Sequence, residues 1–370
     1  EVKKVIKNSR IIGKRFKLVH IYINRVIYEL ATFRGYSKNI KHSNPKIHSQ
    51  SHSGRILRDN IYGNIEEDAQ RRDFTVNALY YNPVTNIILD YHKGLKDIKN
   101  KIIRFIGDPE TRITEDPVRM LRAIRISNKL NFSIDKKIEK LLIPLSRHLS
   151  EIPTARLLEE YQKIFLSGQS LKNFTDIRKY NLMQYLFPLI EKHLEKNNKL
   201  ITLYHKACKN TDKRINNNLG INPAFLIAIF LWPEYKHQLN KNIKKSSFLN
   251  IDEAQYSSCN TTLKKQRETI TLTQRISAHI KEIWVLQESL EKCNPKLTNM
   301  IISHHRFRAA YDFLVLRKEL DNIPDKTINF WKPFEVQSQK NHAKYKSKFN
   351  NKYKNKNYNK KIKPKQNMSS

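Results

Sequence analysis

A short run of arginine, aspartate and asparagine forms the densest set of groups that could bind a phosphorylated ligand. Arg71 and Arg72 precede Asp73, and Asn77 follows four residues later. Two flanking guanidinium groups would keep the Asp73 carboxylate ionised and could still meet phosphates in bidentate hydrogen bonds. Asn77 could donate to a sugar hydroxyl or to a base edge. The alternative, favoured on composition alone, is that Asp73 caps a short helix at the amide near Thr75 while both arginines are solvated.

A second set of candidate residues belongs to a predicted helix. Glu115 and Asp116 stand directly before a proline, which predicts a helix start because proline needs no amide partner there. Arg119, Arg122 and Arg125 then recur every three residues along one flank. Asp116 and Arg119 could present one acceptor and a fork of donors to the Watson–Crick edge of a nucleotide base. The alternative is an intrahelical ion pair worth about 0.3–0.5 kcal/mol; three arginines in a lysine-rich chain favour binding, because arginine recognises planar groups.

The strands that would flank these groups are predicted from their spacing and turn residues. Residues 1–33 are predicted to be strands, with Asn24-Arg25 as the tight turn of a β-ribbon. From 34 to 53 the apolar pattern gives way to Ser, His, Asn and Lys, which predicts a mobile loop. Leu79 to Tyr81 and Ile87 to Asp90 are predicted to form two further short strands.

Helices are predicted for most of the chain beyond Asp108. The helix that carries the arginines is expected to end between Leu130 and Phe132. Apolar spacing of three and four residues predicts further helices over 134–148, 154–168, 173–194, 222–232, 262–294 and 308–320.

The composition narrows the class of partner and the compartment. Seventy Lys and Arg against 34 Asp and Glu give a formal net charge of +36, which favours a polyanion, most simply nucleic acid. Hydrophobic residues make up 39% of the chain, enough for a core. The longest apolar run, Ala224 to Trp232, is too short to span a bilayer. The three cysteines have no metal-type spacing, so a reducing cytoplasm is expected.

The tail after Phe334 differs from the rest of the chain. From Lys340 to Lys365 it holds eleven lysines and no acidic residue, and four aromatic residues are interleaved with them. Such a segment has little to bury and is expected to be disordered in isolation. Lysine contacts with phosphate release counterions, and aromatic rings stack on unpaired bases for about 1–3 kcal/mol each. The candidate RNA contacts are Lys344, Lys346, Tyr353 and Lys354, and the alternative is a solubilising extension.

These motifs together resemble the family of bacterial poly(A) polymerases and CCA-adding tRNA nucleotidyltransferases. The resemblance runs over nearly the whole chain. The motifs that carry it are Arg71 to Tyr81, Asp90-Tyr91 with Gly94 to Asp97, and Glu115 to Ala123. Further stretches are closer to the poly(A) polymerase branch, namely Gly13 to Phe16, Leu57 to Ile61, Asn222 to Leu226, Phe307 to Asp312 and the lysine-rich tail.

The resemblance implies an α+β fold with four parts. A polymerase-β-like nucleotidyltransferase head with a mixed β-sheet would occupy residues 1–107. A helical neck that binds nucleotide and RNA would follow at 108–190, and a helical RNA-binding body at 191–334. The disordered basic tail would occupy 335–370.

The resemblance also implies an activity and a role for each candidate residue. Enzymes of this family join AMP from ATP to an RNA 3′ hydroxyl, with two divalent ions, Mg²⁺ or Mn²⁺, held by carboxylates. By resemblance, Asp73 would be an active-site acid, and Glu29 would be either an outlying carboxylate or a solvent-facing strand residue. Arg72 and Asn77 would lie near the triphosphate and ribose of the nucleotide. Asp116 and Arg119 would bind the base edge, and Arg122 and Arg125 would lie toward the phosphates.

The sequence departs from the family pattern in one respect. It contains no Gly-Gly turn and no Asp-x-Asp pair, the features with which the family's head binds phosphate and metal. Because residue 1 is Glu and the later motifs are unbroken, the expectation is a fragment of a template-independent poly(A) polymerase with little activity of its own. The alternatives are CCA addition to tRNA and a non-catalytic RNA-binding remnant.

Overall fold

The structure is a computed structural model, and it describes residues 1–13, 18–24, 26–35, 48–50, 56–59, 62–194, 197–245 and 250–335. The chain divides into two compact units. The first unit comprises Glu1–Pro188 with Thr269–Thr271, and the second comprises Leu189–Glu268 with Leu272–Ser370. The predicted four-part division at 107, 190 and 334 stays a prediction.

The first unit begins with a single helical turn and a three-stranded antiparallel sheet. Helix α1 (Val2–Val5) precedes β1 (Ser9–Ile12), β2 (Leu18–Ile23) and β3 (Val26–Leu30), which pair in that order. Asn24, at φ 48°, makes the turn between β2 and β3 and confirms the predicted β-ribbon. The prediction of strand throughout 1–33 is wrong at α1, where local context overrides the strand propensity of valine.

One strand lies within the segment 34–53 that is predicted to be a loop. This strand, β4 (His48–Gln50), pairs antiparallel with β5 (Ile56–Asp59), which follows that segment. The loop prediction is therefore wrong over β4, because pairing with the next strand supplies backbone hydrogen bonds that local composition does not reveal. The rest of the predicted loop beyond Gly35 lies outside the described residues.

The Arg71-Arg72-Asp73 turn joins a helix to a hairpin. Helix α2 (Ile65–Arg71) begins with a capping box between Asn64 and Glu67. A 3₁₀ turn at Thr75–Asn77 leads into β6 (Leu79–Asn82), which pairs antiparallel with β7 (Ile87–Asp90). Both strands confirm the prediction.

The segment from Glu115 to Arg125 spans the end of one helix and the start of the next. Helix α3 (Gly94–Lys99) and strand β8 (Ile102–Ile103) lead to α4 (Pro109–Glu115) and α5 (Val118–Leu130). The predicted helix after the proline is confirmed, and it ends at the left-handed Asn131. The placement of Glu115 and Asp116 at its start is wrong, because they close α4. Asp116 precedes a proline and is extended, which separates the two helices.

The rest of the first unit is mainly helical. It contains strand β9 (Ser133–Ile134), which pairs parallel with β8, and a 3₁₀ helix at Ser146–Glu151. Its helices are α6 (Lys136–Leu142), α7 (Thr154–Phe165), α8 (Ser170–Lys179) and α9 (Met183–Leu186), and α10 (Pro188–Leu194) begins at the last residue of the unit's main segment.

The described part of the second unit contains helices and no named strand. They are α11 (Lys199–Asn216), α12 (Pro223–Lys245), α13 (Ile251–Arg267), α14 (Gln274–Lys292), α15 (Thr298–Ser303), α16 (Phe307–Leu316) and α17 (Lys318–Asp321), and residues 325–335 are also helical. A short 3₁₀ turn, Pro295–Leu297, precedes α15. The single helix predicted over 262–294 is wrong, because alternating threonines interrupt it and Thr273 caps α14 by accepting from the Ile276 amide. No helix in the described ranges is long and apolar enough to cross a membrane.

The close approach of α3 to the Thr75–Asn77 turn depends on Gly94. A Cβ at this position would lie 2.4 Å from the Thr75 carbonyl oxygen, which belongs to the backbone and cannot rotate away. Gly94→Ala should therefore lower the free energy of unfolding by about 1–3 kcal/mol, measured by urea denaturation. Gly220→Ala is the matched control, because a Cβ there would meet no atom within 4 Å. Equal stabilities of the two variants would contradict the close-contact argument.

Candidate functional site

One cleft in the first unit brings together most of the candidate residues. It has a volume of about 580 Å³ and lies between the chain after β3, the turn after α2, and helices α5 and α7. Its charged lining residues are Arg34, Asp68, Arg71, Arg72, Asp73, Asp116, Arg119, Arg122 and Arg156. Six arginines against three aspartates leave an excess of three positive charges, which favours a polyanionic ligand of the size of a nucleoside triphosphate.

The Asp73 carboxylate joins the turn after α2 to helix α5. Its Oδ1 accepts from the Phe74 amide at 2.9 Å and from Asn77 Nδ2 at 3.1 Å. Its Oδ2 accepts from Arg122 Nε at 2.7 Å and from Arg122 Nη2. The prediction that the flanking arginines hold Asp73 is wrong, because Arg71 and Arg72 both pair with Asp68 on helix α2. The helix-capping alternative is wrong too, since the 3₁₀ turn has no side-chain cap.

A carboxylate that the sequence interpretation did not select holds Arg72. Asp68 is only 7% exposed, and its Oδ2 accepts from Arg72 Nε at 3.1 Å, Arg72 Nη2 at 2.9 Å and the Tyr80 hydroxyl at 2.7 Å. Its Oδ1 accepts from the Arg34 amide at 3.2 Å. The prediction that Arg72 is left free for phosphate is therefore wrong, although Arg72 still lines the cleft. The available signal was the four-residue spacing from Asp68, on helix α2, to Arg72, the residue that follows the helix.

The hydrogen bonds around Asp68 shift two pKa values. Burial by itself would raise the pKa of Asp68, but hydrogen bonds from Tyr80 and Arg72 outweigh it and hold that pKa below its usual value. Burial, and then the hydrogen bond to Asp68, raise the pKa of Tyr80 to about 12. Both shifts show that Asp68 is ionised and Tyr80 neutral near pH 7.

Asp68→Asn should lower the free energy of unfolding by about 1–3 kcal/mol, because Arg72 and Tyr80 lose their ionised acceptor. Denaturation at several pH values measures the effect. Since the folded-state pKa of Asp68 lies below 3.8, its stabilising contribution is complete above that pH and is lost as the pH falls through the lowered value. Glu66→Gln, an exposed change on the same helix, is the control. A loss of stability that is independent of pH would contradict the charge argument.

Asp116 and Arg119 both line the cleft, but they do not pair with each other. Asp116 Oδ2 accepts from Arg156 Nη2 at 2.6 Å, and its Oδ1 is buried without a hydrogen-bond partner. Arg119 Nη1 donates to the Arg112 carbonyl oxygen at 2.6 Å and to Glu115 Oε2 at 2.9 Å. The alternative interpretation, an intrahelical ion pair between Asp116 and Arg119, is therefore wrong. The unpaired Asp116 oxygen is an acceptor that a ligand amino group would satisfy.

The remaining candidates lie outside the lining of the cleft. Arg125 lies on α5 one turn beyond Arg122 and is half-buried, with its Nε unpaired. Glu29 lies on β3, is 67% exposed, and its Oε1 accepts from His20 Nε2 at 3.1 Å in the histidine tautomer that carries a proton on that nitrogen. The predicted roles of both residues stay predictions. The predicted RNA contacts Lys344, Lys346, Tyr353 and Lys354 lie outside the described residues.

A divalent-ion site does not fit the residues present in the cleft. Across the described ranges, no group of three or more His, Cys, Asp or Glu side chains could hold a metal. Asp73 and Asp68 are already bonded to arginines, and Asp116 is bonded to Arg156. These residues offer hydrogen-bond donors to an anionic ligand, and they assemble no cradle for a metal ion.

Three family models match the chain. The model described as the poly A polymerase head domain matches residues 1–104, and that of the probable RNA and SrmB-binding site of polymerase A matches residues 131–194. The model described as the polymerase A arginine-rich C-terminus matches residues 249–367.

Individual relatives agree with these matches. Poly(A) polymerase I of Escherichia coli O157:H7 is 37% identical over 343 residues, which cover 91% of this chain and 73% of that protein. The CCA-adding enzyme of Leuconostoc mesenteroides subsp. mesenteroides is 33% identical over 188 residues, 50% of this chain and 43% of that enzyme. A solved tRNA nucleotidyltransferase complexed with a primer tRNA and an incoming ATP analog has a TM-score of 0.58 at 21% identity, covering 91% and 87% of the two chains. The predicted fold class is confirmed by this likeness.

Proposed function

This chain belongs to the bacterial poly(A) polymerase family, and from that premise we propose that it serves the template-independent addition of AMP from ATP to RNA 3′ ends. The observation that carries the proposal is the contact between Asp73 and Arg122. It joins the Arg71-Arg72-Asp73 turn and the arginine flank of α5 in one cationic cleft. RNA is the natural acceptor, because the chain carries a net charge of +36 and matches an RNA-binding family model over residues 131–194.

One side of the cleft binds the phosphates and ribose of ATP, and the other side binds the base. Arg122 donates to phosphate oxygens in charge-assisted hydrogen bonds, because a triphosphate is a more highly charged partner than Asp73. Asn77 is hydrogen-bonded to the same Asp73 carboxylate as Arg122, and it contacts the ribose. Asp116 accepts from the adenine amino group through its unpaired Oδ1, and Arg119 donates to the same base edge. ATP bound in this way is oriented for attack by an RNA hydroxyl.

The family chemistry supplies two divalent ions at the transferred phosphate. No step through them is assigned to this cleft, since its acidic side chains are bonded to arginines. We expect residues 1–370 alone, mixed with ATP, magnesium and an RNA primer, to transfer very little AMP. Vigorous tailing by this chain would contradict that expectation.

CCA addition to tRNA is the second candidate function. The observation that favours it is the match of half the chain to a CCA-adding enzyme. An enzyme that adds CCA must accept CTP and ATP, whereas a poly(A) polymerase must select ATP. Calorimetric titration of the chain with each of the four nucleoside triphosphates therefore tests the proposal. Tighter binding of ATP than of CTP supports poly(A) addition, equal affinities support CCA addition, and no nucleotide binding would contradict both.

A further inference from the structure

Arg112 is a buried arginine behind the cleft that contacts both of its sides. It lies on α4, is 4% exposed, and does not line the cleft. Its Nη2 donates to the carbonyl oxygens of Arg71 at 2.8 Å and Arg72 at 2.6 Å. These two carbonyls belong to the turn that presents Asp73. One guanidinium edge therefore fixes the backbone of the turn on the phosphate side.

The same arginine also reaches the base side of the cleft. Its Nη1 donates to Glu115 Oε2 at 2.7 Å, and that oxygen also accepts from Arg119 Nη1 at 2.9 Å. The carbonyl oxygen of Arg112 accepts from the same Arg119 nitrogen at 2.6 Å. Arg119 is thus held by two acceptors, one from the backbone of Arg112 and one from the carboxylate that Arg112 binds.

We propose that Arg112 and Glu115 are positioning residues for nucleotide selectivity. They hold the Arg119 side chain at the base edge, at a fixed position relative to the Arg71-Arg72-Asp73 turn. The inference rests on the proposed function, because it requires a nucleotide to bind in this cleft. Neither residue touches the nucleotide. Each acts by limiting where Arg119 can place its donors relative to the phosphates.

The chemistry of the site requires arginine at position 112. A planar guanidinium can donate from one nitrogen to two carbonyls while a second nitrogen meets a carboxylate, and all of these bonds lie close to one plane. A lysine ammonium keeps the charge but is a single point, so it cannot hold the turn and Glu115 in the same fixed geometry. Arg112→Lys therefore separates the loss of geometry from the loss of charge.

The test is the ratio of the dissociation constants for GTP and ATP, measured by calorimetry on the whole chain, because guanine lacks the amino donor and ring nitrogen acceptor that Asp116 and Arg119 would bind in adenine. This ratio does not depend on the fraction of folded protein, so a merely structural role would leave it unchanged. In Arg112→Lys and in Glu115→Gln the preference for ATP should fall at least fivefold. If Arg112→Lys does not fold, Glu115→Gln carries the test, because the amide keeps the size of the side chain but removes the negative charge that binds both Arg112 and Arg119.

Two controls and two contrary outcomes complete the test. Glu110→Gln, an exposed change on α4, should leave the ratio unchanged. Arg317→Met, a destabilising change in the second unit, should lower the melting temperature without altering the ratio. An unchanged preference for ATP in both positioning variants would overturn the inference while leaving the proposed function intact. Absence of any ATP preference in the unsubstituted chain would remove the proposed function, and the inference with it.

Discussion

Arg119→Gln should reduce the preference of the cleft for ATP over GTP by about 5- to 150-fold, because guanine presents a carbonyl and a ring N–H where adenine presents an amino group and a ring nitrogen acceptor. The range corresponds to about 1–3 kcal/mol, the discrimination provided by a good bidentate contact to a base edge. Arg119 is 8% exposed and lines the cleft beside Asp116, whose Oδ1 has no hydrogen-bond partner. Glutamine is shorter than arginine and lacks its charge, so it cannot reach the same edge with the same donors.

The matched comparison is Arg122→Gln, one helical turn further along α5. Arg122 bonds Asp73 at the phosphate side, so its loss should weaken the binding of all four nucleoside triphosphates by similar factors. The affinity for tripolyphosphate should fall in Arg122→Gln and remain nearly unchanged in Arg119→Gln. Calorimetric titration of both variants with ATP, GTP and tripolyphosphate makes the comparison. An Arg119 variant that loses affinity for ATP and GTP equally would refute the base-edge role.

Arg317→Met should lower the free energy of unfolding of the second unit by about 1–3 kcal/mol, because the buried Gln287 oxygen loses its donor, whereas the partly exposed Glu291 and Asp321 carboxylates can be hydrated. The Arg317 side chain is fully buried. Its Nε donates to Gln287 Oε1 at 2.9 Å, its Nη1 donates to Asp321 Oδ2 at 2.6 Å, and its Nη2 pairs with Glu291. Its Cζ also lies 4.8 Å from the centre of the Trp232 ring.

Methionine matches the apolar stem of arginine but satisfies none of these acceptors. Asp321 would keep only the bond from Trp232 Nε1 at 3.1 Å, and the buried Gln287 oxygen would lose its donor. Scanning calorimetry should show the transition of the second unit lowered by about 2–12 °C. Lys326→Met, an exposed lysine-to-methionine change in the same unit, is the control and should shift it little. A decrease in Arg317→Met no larger than that of the control would contradict the argument from the lost hydrogen bonds of the buried Arg317 side chain.

Local sequence signals predicted the elements that carry the site more reliably than the contacts within it. The hairpin of β6 and β7 and the helix after the proline follow from strand propensity, apolar spacing and proline chemistry, which act over a few residues. Helix α4 was missed, although Asp108 as its cap and Pro109 at its first position were local signals for it. The break between α13 and α14 was missed because the apolar spacing continues across it. The signal for the break is Thr273, whose side chain caps the first turn of α14.

The partners of the site residues could not be predicted, because they depend on how distant segments pack. Asp73 lies beside two arginines in the sequence, yet its partner is Arg122, 49 residues away. Asp116 pairs with Arg156, 40 residues away, instead of the nearby Arg119. The contacts of Asp68 with Arg72 and of Glu115 with Arg119 have the local spacing of four residues that would have revealed them. The chemical types in the cleft were therefore predictable, and their pairing required the tertiary structure.

Photolabelling with 8-azido-ATP, followed by mapping of the modified peptides, tests the central claim most directly. The account predicts that the label is found on peptides containing residues 31–34 or 116–122, and that excess ATP prevents labelling better than excess CTP does. Labels confined to the second unit, or labelling that both nucleotides suppress equally, would contradict an ATP-selective cleft between the Arg71-Arg72-Asp73 turn and helix α5.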